Sequence, residues 1–178
     1  MDSLLLSTHP KWCEMIGNLK KQWDIRKTCP NVKLPFKVYL YMTAGFASYP
    51  VTINGNPYIC HNNGGQTVIG EFVCDRIEKF YIPYPAFFDR ITNDLLKIID
   101  EACLTPLQIH HYIKTNAGYA WHISEVKMYE QQKELDEFFY ACKHPEGTDC
   151  SKCIDRRENT CRSIKRPPQS WCYVMGVE

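Results

Sequence analysis

Segments of strand period and of helix period follow one another along this chain in an irregular order, with no internal repeat. A doubly wound parallel sheet needs regular βαβ succession, so that architecture is excluded. Leu4-Leu5-Leu6 reads as a short strand. Pro10 opens a helix whose Trp12, Met15, Ile16 and Leu19 fall at helical spacing. From Gln22 to Thr28, Trp23 and Ile25 alternate with Asp24 and Arg26, the pattern of a strand with one wet face. Phe36 to Met42 is rich in strong β-formers. Asn54-Gly55, flanked by Val51-Thr52-Ile53 and Pro57-Tyr58-Ile59, is a hairpin turn signal. Gly64-Gly65 ends that unit, and 66–82 reads as one long strand. Helices are expected over 92–101 and 105–114, the second with Thr105 at its N-cap and Pro106 at the first helical position. Residues 119–129 alternate as a strand with one irregularity, 134–140 read as a short helix, and 170–174 as a last strand. The expected fold class is α+β: a mostly antiparallel sheet or barrel with helices closing its ends.

At 178 residues the chain is expected to be one domain over 1–178, with a small insertion at 142–161. Hydrophobic residues make up 44% and charged residues 23%, which excludes a disordered chain. No apolar run approaches the ~20 residues of a membrane-spanning helix. The formal net charge of +1 excludes a uniformly basic nucleic-acid coat. The charge is nevertheless uneven. Residues 9–37 carry seven bases against Glu14 and Asp24, and residues 143–166 carry seven bases against four acids. The two stretches form one basic face if the ends of the chain meet; otherwise they are scattered solvated side chains.

Ten cysteines are many for this length and fit either a disulfide framework or thiols and metal in a reducing compartment. The first residues place Asp2 where a signal peptide carries a base, and their apolar run is three residues long, so a cytoplasmic protein with reduced cysteines is expected. Residues 142–161 read Cys142-x7-Cys150-x2-Cys153-x7-Cys161, with almost no apolar residues. Such a segment needs something other than a core to order it. Four thiolates around a C-x2-C knuckle suit a closed, tetrahedral, structural zinc site, with His144 as an alternative ligand and free cysteines on a loop as the competing reading.

Five stretches together resemble the ASCH domain family, of PUA-like fold, in its bacterial and phage branch. They are Pro10 to Thr28 (PKWCEMIGNLKKQWDIRKT), Phe36 to Tyr41 (FKVYLY), Val68 to Asp75 (VIGEFVCD), Tyr119 to Ser124 (YAWHIS) and Arg166 to Val174 (RPPQSWCYV). The resemblance implies a PUA-like β-barrel with helices closing its mouth; the Cys-rich segment read above as a zinc site is then an insertion within it. It implies RNA-related function: binding of RNA or a modified nucleoside or nucleotide, or an enzyme that is an N(4)-acetylcytidine amidohydrolase or a ribonuclease. In the amidohydrolase branch the position matching Asp24 is a threonine nucleophile and the match to Lys21 is its base. Here that threonine is Asp24, and a glycine of the family's turn is Leu19.

Alternation puts Asp24 and Arg26 on one strand face, and Lys21 lies just before it. As a binding site, Arg26 with Lys20 or Lys21 holds phosphate while Asp24 accepts from a base edge. As a catalytic pair, Lys21 and Asp24 work as a desolvated base and its acidic neighbour. A surface ion pair is the plain alternative. Trp121 is a candidate stacking platform, with Tyr39, Tyr41 and Trp171; aromatics at strand period also build cores, and Trp12 and Trp23 are assigned there. His122 faces away from Trp121 and reads as a satisfied surface histidine. The expected partner is therefore RNA or a modified nucleoside, with zinc as cofactor. A phage or mobile-element protein-interaction module is a further reading.

Overall fold

The structure, a computed structural model, describes residues 3–44, 50–59, 67–81, 91–114, 117–141, 153–155 and 160–176. Strand β1 (Ser3–Thr8) leads into helix α1 (Pro10–Gly17), and β2 (Trp23–Arg26) and β3 (Phe36–Met42) follow. Then come the hairpin β4 (Pro50–Ile53) and β5 (Asn56–Ile59), the long β6 (Val68–Tyr81), and helices α2 (Asn93–Glu101) and α3 (Pro106–Tyr112). The chain continues through β7 (Ala117–Lys133), β8 (Cys153–Asp155), β9 (Thr160–Cys161) and β10 (Trp171–Val174). Six strands form one mixed sheet in the order β10-β1-β3-β6-β7-β2. Only β1 and β3 pair in parallel; the other four contacts are antiparallel.

Local chemistry explains most of these elements. At the hairpin, Ile53 pairs with Asn56, and Asn54 (φ 50°) and Gly55 (φ 81°) both lie in the left-handed region. A two-residue loop whose twist matches the strands requires that geometry. Thr92 caps α2 by accepting from Leu95 N, and Thr105 and Gln108 form a reciprocal capping box on α3. Strand β1 is buried along its whole length because both its faces are covered. Leu4 and Leu6 enter the main core with Val38, Phe72 and Trp121, while Leu5 packs with Tyr39, Phe138 and Ile164 on the other side.

Three expectations are corrected. The sheet is not a closed barrel: edge strands β10 and β2 share no backbone ladder. It is rolled instead, and side chains span the gap. Arg26 donates to Ser170 Oγ and Ser7 O, Trp171 Nε1 donates to Thr28 Oγ1 at 3.2 Å, and the Tyr173 hydroxyl accepts from Asn31 N at 2.9 Å. Strand β2 has no wet face; all four residues are buried. Trp23 and Ile25 pack under α2 and α3 with Leu95, Ile99 and Ile109, while Asp24 and Arg26 face into the roll. The expected helix at 134–140 is one 3₁₀ turn, Leu135–Glu137, because Phe138 dives into the core and Tyr140 bridges to Val174.

In the Cys-rich segment, Cys142 and Cys150 lie outside the described residues. The backbone of β8 and β9 forms a two-stranded antiparallel ribbon in which Cys153 stands opposite Cys161. Gly64-Gly65 also falls outside the described residues. Among the described residues, no helix is long and apolar enough to cross a membrane.

Candidate ligand-binding cleft

A cavity of about 320 Å³ opens where the end of β1, the start of α1, β2 and α3 converge. Its polar walls are Ser7, Thr8 and His9 from the β1–α1 junction, Lys21, Asp24 and Arg26 from the approach to β2 and β2 itself, and Gln108 from α3. Trp12 and Tyr112 contribute aromatic rings.

The turn after α1 aims Lys21 inward. Leu19 adopts φ 57°, and Lys20 N and Lys21 N both donate to Met15 O. Lys21 is thereby 3% exposed, and its Nζ donates to Ala102 O at 2.7 Å and sits 4.9 Å from the Trp12 ring centre. Burial lowers its pKa below the ordinary 10.5, with Asp24 opposing part of that shift. A left-handed leucine is strained, and this side chain is 68% exposed, so it recovers little by burial. Leu19→Gly is therefore expected to stabilise the fold by about 1 kcal/mol, raising Tm by about 2–4 °C in a thermal melt. An unchanged or lowered Tm would contradict a strained turn.

Asp24 and Arg26 form a buried ion pair, Nε to Oδ2 at 2.5 Å, with side chains 7% and 10% exposed. The guanidinium also donates to Ser170 Oγ (3.2 Å) and Ser7 O (3.4 Å). This is a fixed, charge-assisted fork, not the loose surface pair of the plain alternative. Thr8 Oγ1, also in the wall, is buried with no hydrogen-bond partner among the described residues. Such a group is a place for a ligand or ordered water to bond. Burial raises the pKa of the Tyr112 hydroxyl, keeping it protonated as a donor.

Lys21, Asp24 and Arg26 are thus brought together. Lys20 is exposed and outside the cavity wall. Trp121 is no surface platform: it is fully buried between Phe36 and Trp171, and its Nε1 has no partner among the described residues. Tyr39 and Tyr41 are likewise core residues. His122 sits at the surface, its Nδ1 2.6 Å from Asp75 Oδ1 and its ring edge-on to Trp23. Sequence reasoning placed Trp12 in the core and overlooked Tyr112, Gln108 and Thr8. The polar run Ser7-Thr8-His9 at a strand-to-helix junction was the one available signal. Nothing local marks Tyr112.

A rolled, mostly antiparallel sheet with a helix across one end and a charged cleft beside its first strand makes this an α+β module. Comparison with solved structures makes the class specific. The ASCH protein of Zymomonas mobilis aligns over 97% of this chain and 87% of its own, with a TM-score of 0.57 at 17% identity. A serine-to-alanine variant of that protein gives 0.59 at 16% identity, over 97% and 88% of the two chains. A tyrosine-to-phenylalanine variant gives 0.50 at 19%, over 77% and 78%. The chain has the ASCH fold. No protein-family model matches it, and no curated protein matches it by sequence.

Proposed function

We propose that the protein binds RNA or a modified nucleoside or nucleotide, with one base in this cleft. The observation that carries the reading is the convergence of a buried carboxylate, two buried cations and two aromatic walls on one cavity. About 320 Å³ falls at the small end of the roughly 300–1,000 Å³ range of ligand sites, the scale of one nucleoside and not of a duplex. Trp12 and Tyr112 offer π faces, Asp24 Oδ1 an acceptor for an exocyclic amine, and Lys21 and Arg26 donors for carbonyl oxygens. The ASCH fold is consistent with this reading.

The test is titration of the protein with RNA oligomers and nucleosides across pH. Lys21 carries its charge below its lowered pKa and loses it as pH rises through that value, short of 10.5. Affinity is expected to fall in that window. The stability contribution runs the other way, because a buried ammonium costs least once neutral. Lys21→Met should weaken binding by about 1.5–3 kcal/mol and flatten the pH profile. Full affinity in that variant, or no binding by wild type, would remove the cleft from consideration.

An enzymatic reading has one supporting observation, the desolvated Lys21 amine as a base. The Asp24 carboxylate is held by Arg26 where the amidohydrolase branch carries a threonine, so binding ranks first. Deacetylation of N(4)-acetylcytidine by the wild-type protein would reverse that order.

We also propose a structural zinc held by Cys142, Cys150, Cys153 and Cys161. The cross-strand register of Cys153 and Cys161 supports it, since facing positions on one ribbon suit two ligands of one tetrahedral ion.

A further inference from the structure

Inside the cleft the cations are partly engaged by the protein: Arg26 uses Nε, Nη1 and Nη2 on Asp24, Ser170 and Ser7, and Lys21 uses one proton on Ala102 O. In the reading above their remaining donors face the base. A phosphate on the bound ligand needs other partners. Two exposed lysines stand at the aromatic walls: Lys11 Nζ lies 4.8 Å from the Trp12 ring centre, and Lys27 Nζ lies 4.8 Å from that of Tyr112. Lys37, Lys97 and Lys165 each reach a carboxylate within 4.0 Å, but among the described residues neither Lys11 nor Lys27 does. They come from different elements, the first turn of α1 and the residue after β2; neither lines the cavity itself, and each sits beside a ring that does. An ammonium held over a ring retains protons for an anion, and its position is limited by the ring.

We propose that Lys11 and Lys27 bind the two phosphates flanking the base in the cleft, so that the ligand is a nucleotide within a single-stranded RNA and not a free nucleoside. This rests on the base-binding reading above. A base inserted between Trp12 and Tyr112 carries its sugar toward the mouth, where one phosphate leaves on each side. A free nucleoside would leave both lysines unused.

The test uses four single-stranded RNA hexamers, one of each base, and the four free nucleosides, titrated against wild type and a K11A/K27A double variant. Both lysines are exposed, so an unchanged Tm is expected to accompany the substitutions. Wild type should bind at least one hexamer more tightly than its nucleoside, with log K falling linearly with log salt. The double variant should bind that hexamer about tenfold more weakly, with the salt slope reduced by about 1.4, and should bind the nucleoside as wild type does. Equal affinity for hexamer and nucleoside, or an unchanged salt slope in the variant, overturns the phosphate assignment and leaves the base site standing. Failure of wild type to bind any hexamer or nucleoside overturns both.

Discussion

Arg26→Ala is expected to cost about 3–5 kcal/mol of folding stability, the penalty for leaving Asp24 buried without its partner. The loss is larger than that of an ordinary ion pair because the guanidinium also ties β2 to Ser7 on β1 and to Ser170 ahead of β10. With Trp171 and Tyr173 it is one of the side chains that span the open seam of the rolled sheet. For a domain of this size the change lowers Tm by roughly 6–20 °C, read by calorimetry. Base binding should fall as well, even at temperatures where the variant is folded. The double variant Asp24→Leu with Arg26→Met separates the two effects: an apolar pair of similar volume should recover most of the stability and none of the binding. If Arg26→Ala melted with wild type, the seam would be held by the sheet itself and the buried pair would be incidental.

Protein purified without chelator should carry one zinc per chain, with Zn–S distances of about 2.3 Å by X-ray absorption. Binding free energies of structural zinc reach about 10–16 kcal/mol, far more than the sparse apolar content of 142–161 can supply. Changing Cys150 and Cys153 together to serine should abolish the metal and open 142–161 to protease. The six-stranded sheet should keep its unfolding transition, since the described core residues, Ile164 included, lie outside 142–161. Metal well below one equivalent in the wild-type protein would leave the segment without its proposed organiser.

Much of the fold was legible because the signals are local. The Asn54-Gly55 turn and the Thr105 cap before Pro106 each occupy a few residues and stand where the sequence placed them, and the strand expected at 22–28 is present as Trp23–Arg26, without its expected wet face. The 3₁₀ turn at Leu135–Glu137 was misread as a helix because the burial of Phe138, which breaks it, depends on Tyr39 and Ile164. Part of the site was legible for the same local reason: Asp24 and Arg26 share a strand face whatever surrounds them. Trp12 was not, since a tryptophan at helical spacing reads as core until a cavity is found beside it.

The sequence by itself determined most of the strands, helices and turns, 134–140 excepted, and that Asp24 and Arg26 share a strand face with Lys21 just before it. Only the tertiary structure decided that both faces of β2 are covered, that Lys21 turns inward while Lys20 stays in solvent, and that the roll is left open and bridged by side chains. Those outcomes depend on partners far along the chain: Ala102 is 81 residues from Lys21, and Ser170 is 144 residues from Arg26. Backbone propensity acts over a few residues, whereas desolvation of a charge is set by whatever distant element packs against it.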